Sequence, residues 1–236
     1  MKKTEKTFLS VVIAAGGSSS RMQGTNKLLA LLGGEPVLIR TLRVFEKCDE
    51  VNEIVVSASE ENLKVYADLI SLFGIKKVSK VVIGGKTRLE SVFNASVACS
   101  KKADYIMVHD GARPLVSESD IHNVYSAMKK FGSAAAGFKM TDTVKKLESG
   151  YITGTVDREN LIAVRTPQGA DRDLLIGALK NAVDKGINAT DECMALEAVS
   201  VRPYFVESSA DNIKITFDTD LSTANVLFDR RSERCE

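Results

Sequence analysis

The 236-residue chain is poor in the residues that build metal cages and nucleophilic triads. It has two histidines, His109 and His122, no tryptophan, and four widely spaced cysteines that form no CxxC pair. A zinc site needs several Cys or His ligands at short spacing, and small disulfide-bonded folds are dense in cysteine. The sequence therefore predicts no protein-caged transition metal, no disulfide framework, and no Ser/His/Asp or Cys/His constellation.

The chain also lacks a charge excess and a long apolar run. Its formal net charge of +1 argues against a nucleic-acid surface or a polybasic membrane patch, and it leaves small anionic ligands open. The apolar run behind the basic N-terminus is too short for a signal peptide. No segment approaches the roughly 20 apolar residues of a membrane span. Together with cysteines that look reduced, these absences favour a cytoplasmic protein.

Small and polar residues follow an apolar run near the N-terminus. Residues 11–15, VVIAA, are typical of a buried strand, and Gly16, Gly17 and three serines come next. Arg21 and Lys27 follow with no acidic residue between them. Exposed backbone N–H groups beside two cations can bind a polyphosphate. The alternative is an ordinary Gly-Ser turn with two solvated cations.

The rest of the chain alternates short apolar runs with helical patterns. Further strands are predicted at residues 53–57, 80–85, 104–110, 133–138 and 203–207, with amphipathic helices between them. This alternation predicts an α/β fold with a Rossmann-like, mainly parallel sheet and helices on both faces. Ligands of such sheets bind at the carboxyl ends of the strands. The glycine loop, Gly84-Gly85 and Asp110 are therefore predicted to share one site.

Residues 141–166 interrupt this pattern. They show no helical periodicity, and Glu148-Ser149-Gly150 is a plausible turn between two short, polar, β-prone strands. We predict an arm that projects from the sheet. Because a two-stranded arm is only marginally stable alone, we expect it to pack on another subunit and to serve in dimerisation.

Two familiar nucleotide motifs are excluded. The opening loop lacks GxGxxG, and no acidic residue stands about 20 positions further on at the end of a predicted strand, so an NAD site is not predicted. Gly85-Lys86-Thr87 matches the end of a P-loop, but Lys80 stands where that motif needs glycine.

Four other positions have both a functional and a structural interpretation. Asp110 ends a predicted strand and is followed closely by Arg113, which suits the binding of a cation or a substrate hydroxyl, or simply a capping aspartate in a turn. Thr190 precedes two acidic residues, as at an ordinary helix start. Lys214 in a β-prone run and Arg158 in the arm are solvated charges in the simpler interpretation.

Eight segments in order resemble the 2-C-methyl-D-erythritol 4-phosphate cytidylyltransferases, from Val11 to about Ala224. The segments are AAGGSSSRM with Lys27, GGKTRLESV, VHDGARP, TDTVKK, TVDREN, RTPQ, TDE and ADNIKIT. The resemblance implies a single nucleotidyltransferase domain over residues 1–236, with the arm at 141–166 as a subdomain. It also implies an enzyme that joins CTP to the sugar-alcohol phosphate and releases pyrophosphate in the non-mevalonate isoprenoid pathway.

The resemblance implies roles for individual residues. CTP would be bound by Ala14, Ala15, Gly16, Gly84, Gly85 and Ser91. The catalytic cations around the α-phosphate would be Arg21, Lys27 and Lys214. The family is homodimeric with a crossing arm, so the polyol phosphate would be held by Asp110 and Thr190 and by the partner subunit's Arg113, Thr143 and Arg158.

The chemistry implied by this resemblance fits the residues that are missing. The nucleophile would be a phosphate oxygen that is already ionised at neutral pH, so no general base is needed. In-line attack then requires alignment and charge neutralisation. Mg²⁺, or another divalent cation, would enter with CTP and would have Asp110 as the nearest candidate carboxylate.

The chain also departs from the family pattern, and two alternatives remain open. Ile13 stands in place of a usual proline, GGSSSRM in place of GxGxRM, and Lys86 in place of an acidic residue. A ribitol 5-phosphate cytidylyltransferase shares the opening loop, an HDxxRP-like turn and NIKIT, although TVDREN with Arg158 favours the methylerythritol enzyme. A non-catalytic CTP-binding homologue would follow if the altered loop no longer aligned CTP.

Overall fold

The computed structural model describes residues 7–17 and 26–233, leaving out the side chains of 232 and 233. The strands are β1 Leu9–Ala15, β2 Leu31–Leu32, β3 Glu35–Pro36, β4 Val51–Ala58, β5 Val78–Ile83, β6 Tyr105–Asp110, β7 Ser133–Lys139, β8 Val144–Glu148, β9 Tyr151–Val156, β10 Ile162–Asp171 and β11 Tyr204–Glu207. The helices are α1 Val37–Lys47, α2 Leu63–Leu72, α3 Arg88–Ala98, α4 Glu118–Phe131, α5 Arg172–Asp184, α6 Glu192–Glu197 and α7 Asp218–Glu233. Single 3₁₀ turns lie at Glu60–Asn62 and Arg158–Asn160.

A seven-stranded sheet in the order β11-β7-β10-β6-β1-β4-β5 forms the centre of the fold. Strand β1 pairs in parallel with β4 and β6, and β4 pairs in parallel with β5. Because β10 is antiparallel to both β6 and β7, it is the one reversed strand of this sheet. The predicted α/β fold with a mainly parallel sheet is confirmed.

Alternate residues of β1 supply two cores, one on each face of the sheet. Val11 and Ile13 pack with helices α1, α2, α4 and α7, whereas Val12 packs with α3, α5 and α6. A strand that is buried on both faces must be apolar at every position. This is why VVIAA shows no alternation of apolar and polar residues, and why helices cover both faces as predicted.

Local sequence signals define the ends of α4. Ser117 and Asp120 form a reciprocal capping box at its start, which satisfies backbone N–H groups that have no partner within the helix. Gly132 ends the helix at φ 84°, a left-handed conformation that glycine adopts without strain. The chain then enters β7 directly.

The two-stranded hairpin predicted within residues 141–166 is present, but it does not account for the whole segment. Strands β8 and β9 form a separate antiparallel sheet, joined by Ser149 and Gly150 at positive φ. Strand β10 begins at Ile162 and pairs with β7 in the central sheet. Residues 162–166 therefore belong to the main sheet. The strand was not recognised from the sequence because the polar side chains of Arg165 and Thr166 line a cavity and do not pack in the core.

Three smaller differences from the sequence prediction concern loops. The short strands β2 and β3 were not predicted, and residues 211–216, which are β-prone in sequence, are irregular.

In the described residues, no helix combines the length and the apolar character needed to cross a membrane.

Candidate active site

Two adjoining cavities open at the carboxyl ends of β1, β5 and β6. The large cavity, about 380 Å³, is lined by Ala14, Ala15, Gly16, Gly17, Lys27, Leu28, Gly85, Lys86, Thr87, Arg88, Ser91, Asp110, Ala112 and Lys214. The side cavity, about 210 Å³, is lined by Arg88, Asp110, Arg113, Val164, Arg165, Thr166, Gln168, Thr190, Asp191 and Lys214. Arg88, Asp110 and Lys214 border both, so these three side chains form a shared wall.

The start of α3 forms one side of the large cavity. Thr87 and Glu90 make a capping box, and the Glu90 carboxylate accepts hydrogen bonds from the backbone N–H groups of Lys86 and Thr87. Helix N-termini commonly bind anions through such N–H groups. Because Glu90 occupies the N–H groups of Lys86 and Thr87, we expect an anion in this cavity to be bound mainly by the side-chain cations and by the backbone of Gly16 and Gly17.

Gly84 lies directly behind the lining of the large cavity. A Cβ atom at this position would come within 2.6 Å of Ser91 Oγ. Ser91 Oγ in turn accepts a hydrogen bond from Gly85 N at 2.9 Å and donates to Thr87 O at 2.8 Å. The missing side chain therefore allows the end of β5 to pack tightly against α3.

Asp110 is held by three cations. Its Oδ2 atom lies 2.8 Å from Lys214 Nζ and 3.4 Å from Arg113 Nε, and its Oδ1 atom lies 3.3 Å from Arg88 Nη2. Burial alone would raise the pKa of Asp110, but Arg88, Lys214 and Arg113 hold that pKa well below its usual range. The carboxylate is thus ionised, and it keeps three mutually repelling cations together at the shared wall.

Arg88 makes a second, stronger ion pair with Glu192, in the first turn of α6. Arg88 Nη1 lies 2.7 Å from Glu192 Oε1, and Nη2 lies 3.3 Å from Oε2. Burial opposes the charge of Arg88, but Glu192 and Asp110 together raise the pKa of Arg88 above its ordinary value. Since the Glu192 side chain is 1% exposed, its charge depends on this partner.

Gln168 attaches the start of α6 to β10. Its Oε1 atom accepts hydrogen bonds from the backbone N–H groups of Glu192 and Cys193, at 3.1 and 3.0 Å. Its Nε2 atom donates to Arg165 O and to Asp191 Oδ2. The position of Thr190 and Asp191 in the side cavity is therefore set by β10.

A buried network around His109 holds the turn that contains Asp110. Thr166 Oγ1 accepts a hydrogen bond from Asp110 N at 3.1 Å and contacts His109 Nδ1 at 3.0 Å, while His109 Nε2 lies 3.1 Å from Arg113 O. The Thr166 hydroxyl therefore donates to Nδ1, and the imidazole carries its proton on Nε2. Burial lowers the pKa of His109 to about 4, so the ring is neutral at physiological pH.

The neutral state of His109 predicts an acid-dependent loss of stability. In the unfolded chain a histidine has a pKa near 6.5 and gains a proton that the folded chain does not accept until about pH 4. The free energy of unfolding should therefore fall by about 3 kcal/mol between pH 6.5 and 4 on account of this residue. Urea unfolding across this range should show a loss smaller by that amount in His109→Gln. His122→Gln, on the exposed face of α4, is the control; an unchanged pH profile in His109→Gln would contradict the assignment.

Most of the predicted site residues come together. The large cavity contains Ala14, Ala15, Gly16, Gly85, Ser91, Lys27, Lys214 and Asp110, and the side cavity contains Thr190. Arg21 lies outside the described residues. In the described chain, Thr143 and Arg158 of the arm line neither cavity, and the Arg158 guanidinium donates to Thr141 O instead.

The resemblance assigns Arg113 to the partner subunit's site, and the structure also places Arg113 at a cavity of its own chain. Arg113 follows Asp110 by three residues in one turn, and it lines the side cavity of its own chain. Its Nη1 atom donates to Asn212 O at 2.9 Å, next to the segment that carries Lys214. Because turn geometry brings it to its own site, no second chain is required for this contact.

Several residues of the site were not predicted, and five of them make its ion pairs and side-chain hydrogen bonds. These are Arg88, Arg165, Thr166, Gln168 and Glu192. All lie inside the segments GGKTRLESV, RTPQ and TDE, which carried the family resemblance without a role for these positions. The pairing of β10 with β7 is interrupted between Val164 and Gln168, and such irregularities often re-aim side chains near active sites.

The donor set of the site is not that of a protein-built metal centre. In the part of the chain that the structure describes, no group of three or more His, Cys, Asp or Glu side chains could hold a metal ion. Asp110 is the one acidic residue in the described lining of the large cavity.

Comparison with known proteins identifies the family. The profile of the 2-C-methyl-D-erythritol 4-phosphate cytidylyltransferases matches residues 9–230. Relatives of that name from Bacillus cereus strain ATCC 10987 and Clostridium botulinum are 36% and 35% identical, covering 91% and 94% of this chain and 95% and 97% of theirs. The crystal structure of 4-diphosphocytidyl-2C-methyl-D-erythritol synthase from Anaerococcus prevotii is similar with a TM-score of 0.84 at 25% identity, covering 95% of this chain and 97% of its own. The enzyme from Thermus thermophilus has a TM-score of 0.76 at 29% identity, with 94% and 98% covered. The chain therefore belongs to the 2-C-methyl-D-erythritol 4-phosphate cytidylyltransferase family.

Proposed function

We propose that this protein joins CTP to 2-C-methyl-D-erythritol 4-phosphate, giving the CDP-polyol and pyrophosphate. The observation that carries the proposal is the pair of cavities that share the wall of Arg88, Asp110 and Lys214. A reaction between two phosphorylated substrates needs two adjoining sites and cations at their junction. Family membership supports the identity of both substrates.

We assign the large cavity to CTP and the side cavity to the polyol phosphate. Ala14, Ala15, Gly16, Gly84, Gly85 and Ser91 would hold the nucleotide, and Lys27 and Lys214 would neutralise the α-phosphate. Asp110, Arg113 and Thr190 would hold the polyol phosphate. The attacking phosphate oxygen needs no general base, and in-line displacement at the α-phosphorus depends on alignment and charge. Arg21 has its proposed role from the family resemblance.

A divalent cation fits this donor set. Mg²⁺ is usually held by one or two carboxylates together with substrate phosphates and water. Asp110, at the junction of the two cavities, would be the side chain that holds it, next to the triphosphate. When bound, the ion would supply further charge neutralisation. Asp110 itself keeps Arg88, Arg113 and Lys214 in place.

We propose a homodimer in which the arm of one subunit brings Thr143 and Arg158 to the site of the other. The hairpin exposes three large apolar side chains, Leu147, Tyr151 and Ile152, at 70%, 77% and 69%. Leu147 and Ile152 face each other across the two strands. An apolar face on an isolated hairpin is typical of a contact surface. We also propose that residues 1–236 form one nucleotidyltransferase domain, with the arm at residues 141–166 as its subdomain.

The double variant Leu147→Glu/Ile152→Glu tests the dimer. Two carboxylates in an apolar contact should shift the mass seen by light scattering from dimer to monomer, and should lower activity at least 10-fold by removing Arg158 from the partner's site. Leu72→Glu is the control, because Leu72 is 78% exposed on α2, outside the hairpin. A monomeric wild-type protein with full activity would contradict the crossing arm.

We also propose a cytoplasmic location. It is supported by the free thiols of Cys48, Cys99 and Cys193, since oxidising compartments favour disulfides.

The reaction is tested by incubating the protein with CTP, Mg²⁺ and either 2-C-methyl-D-erythritol 4-phosphate or ribitol 5-phosphate, and measuring pyrophosphate. Release with the first substrate is expected. Turnover of ribitol 5-phosphate alone would replace the proposed substrate. CTP binding by calorimetry without pyrophosphate release from either polyol would indicate a non-catalytic homologue.

A further inference from the structure

Arg88 lies at the boundary between the two cavities and lines both. Its guanidinium contacts two carboxylates: Asp110 at the end of β6, which also lines both cavities, and Glu192 at the start of α6, which lies behind them. An arginine fork is planar and directional, so it fixes the relative orientation of the groups that it joins. One side chain thereby connects α3, β6 and α6.

The partner on the α6 side cannot move freely. The backbone N–H of Glu192 is bound by Gln168 of β10, and its side chain is buried. Thr190 and Asp191, which line the side cavity, directly precede this residue. Glu192 itself lines neither cavity in the described chain. Glu192 is therefore a fixed anchor for Arg88. Without this ion pair, the Arg88 side chain, which itself lines the side cavity, would change its position.

The partner on the β6 side is shared with Lys214. Lys214 Nζ and Arg113 Nε both contact Asp110 Oδ2, whereas Arg88 contacts Oδ1. Without Arg88, the Asp110 carboxylate would lose its ion pair on Oδ1, and its orientation about the terminal bond would be less constrained. The position of Lys214 at the junction of the two cavities would change with it.

We infer that Arg88 is a positioning residue that sets the alignment of the two substrates through its fork to Asp110 and Glu192. The inference rests on the proposed function. Misplacement of reacting groups by about 1 Å can cost a factor of about 100 in rate. Loss of the fork should therefore lower kcat, while KM for CTP and for the polyol phosphate changes little.

The test compares Arg88→Lys and Glu192→Gln with the wild-type enzyme by steady-state pyrophosphate release. Lysine keeps the positive charge but cannot pair with both carboxylates in one plane. We expect kcat to fall about 10-fold or more in Arg88→Lys, with each KM within about threefold of the wild-type value. Glu192→Gln, which alters a residue outside both cavities, should lower kcat in the same manner.

A double variant separates positioning from folding. Arg88→Met/Glu192→Met removes both charges and leaves no buried ion unpaired. Its kcat should stay low, and the two substitutions should be strongly non-additive because they break one interaction. Arg43→Met is the matched control: Arg43 makes a bidentate pair with Glu35 at 2.8 and 2.7 Å, and neither residue lines the large cavity or the side cavity.

Each outcome of these kinetic measurements supports or contradicts the positioning role of Arg88. Wild-type kcat in Arg88→Lys, or in a folded double variant, would overturn the positioning role while leaving the proposed function in place. A rise of more than 10-fold in one KM at constant kcat would instead show that Arg88 is a direct ligand of that substrate. A wild-type protein without pyrophosphate release from 2-C-methyl-D-erythritol 4-phosphate would overturn the proposed function, and this inference with it.

Discussion

Replacing Lys27 with alanine is expected to lower kcat for pyrophosphate release about 100-fold or more, the scale of a lost transition-state donor. Lys27 lines the large cavity with Lys214, and the reaction spreads negative charge over the phosphoryl oxygens as the bond to pyrophosphate breaks. A cation that meets this charge stabilises the transition state more than the bound substrates. We therefore expect the loss in kcat rather than in KM for CTP.

The measurement is steady-state pyrophosphate release at saturating CTP and polyol phosphate, with circular dichroism to confirm the fold. Lys101→Ala is the matched control, because Lys101 is an exposed lysine that precedes β6, at the opposite end of that strand from the cavities. It should retain wild-type activity. A near-normal rate in Lys27→Ala would remove Lys27 from the mechanism.

Arg88→Met should lower the free energy of unfolding by about 3–5 kcal/mol, the cost of leaving a buried charge without its partner. Glu192 is 1% exposed and takes both of its side-chain contacts from Arg88. Methionine matches the length of the arginine stem but cannot compensate the carboxylate. The measurement is urea unfolding followed by circular dichroism at neutral pH.

Removing the second charge should restore most of the lost stability. In Arg88→Met/Glu192→Met, two apolar side chains replace a buried ion pair, an exchange that is often neutral or stabilising. Arg43→Met, which breaks a more exposed bidentate pair, should cost about 1 kcal/mol or less. Equal losses in Arg88→Met and Arg43→Met would contradict the buried pairing.

The fold was largely predictable because apolar runs and helical spacing mark its strands and helices. Val11 to Ala15, Leu38 with Leu42, and Leu175 with Leu179 are all apolar positions of the core, and all but the partly buried Ala14 are fully buried. Strand β10 was not predicted. Its Arg165, Thr166 and Gln168 face cavities or buried polar partners, so its pattern does not resemble that of a core strand.

The site was predictable where a glycine or a carboxylate lies at the end of a strand. Gly16, Gly84 and Asp110 follow or end strands, and parallel strands bring their carboxyl ends to one edge. The pairing of Arg88 with Glu192 joins residues 104 positions apart. Nothing in the local sequence of either residue indicates that contact. The positions of Lys214 and Thr190 at the cavities likewise follow only from the fold, because it brings together segments that are far apart in the sequence.

The Asp110 carboxylate has a consequence for product release. Because it is paired with Arg88, Arg113 and Lys214, it would compete with any phosphate that binds these cations. Because it is tethered beside these cations, its effective concentration is high, and it re-forms its ion pairs whenever a phosphate moves away. Pyrophosphate carries much negative charge and would dissociate slowly from cations without a counter-ion, and product release limits many enzymes. The residue that gathers the cations in the free protein would thus also compete with a bound phosphate group and favour its release.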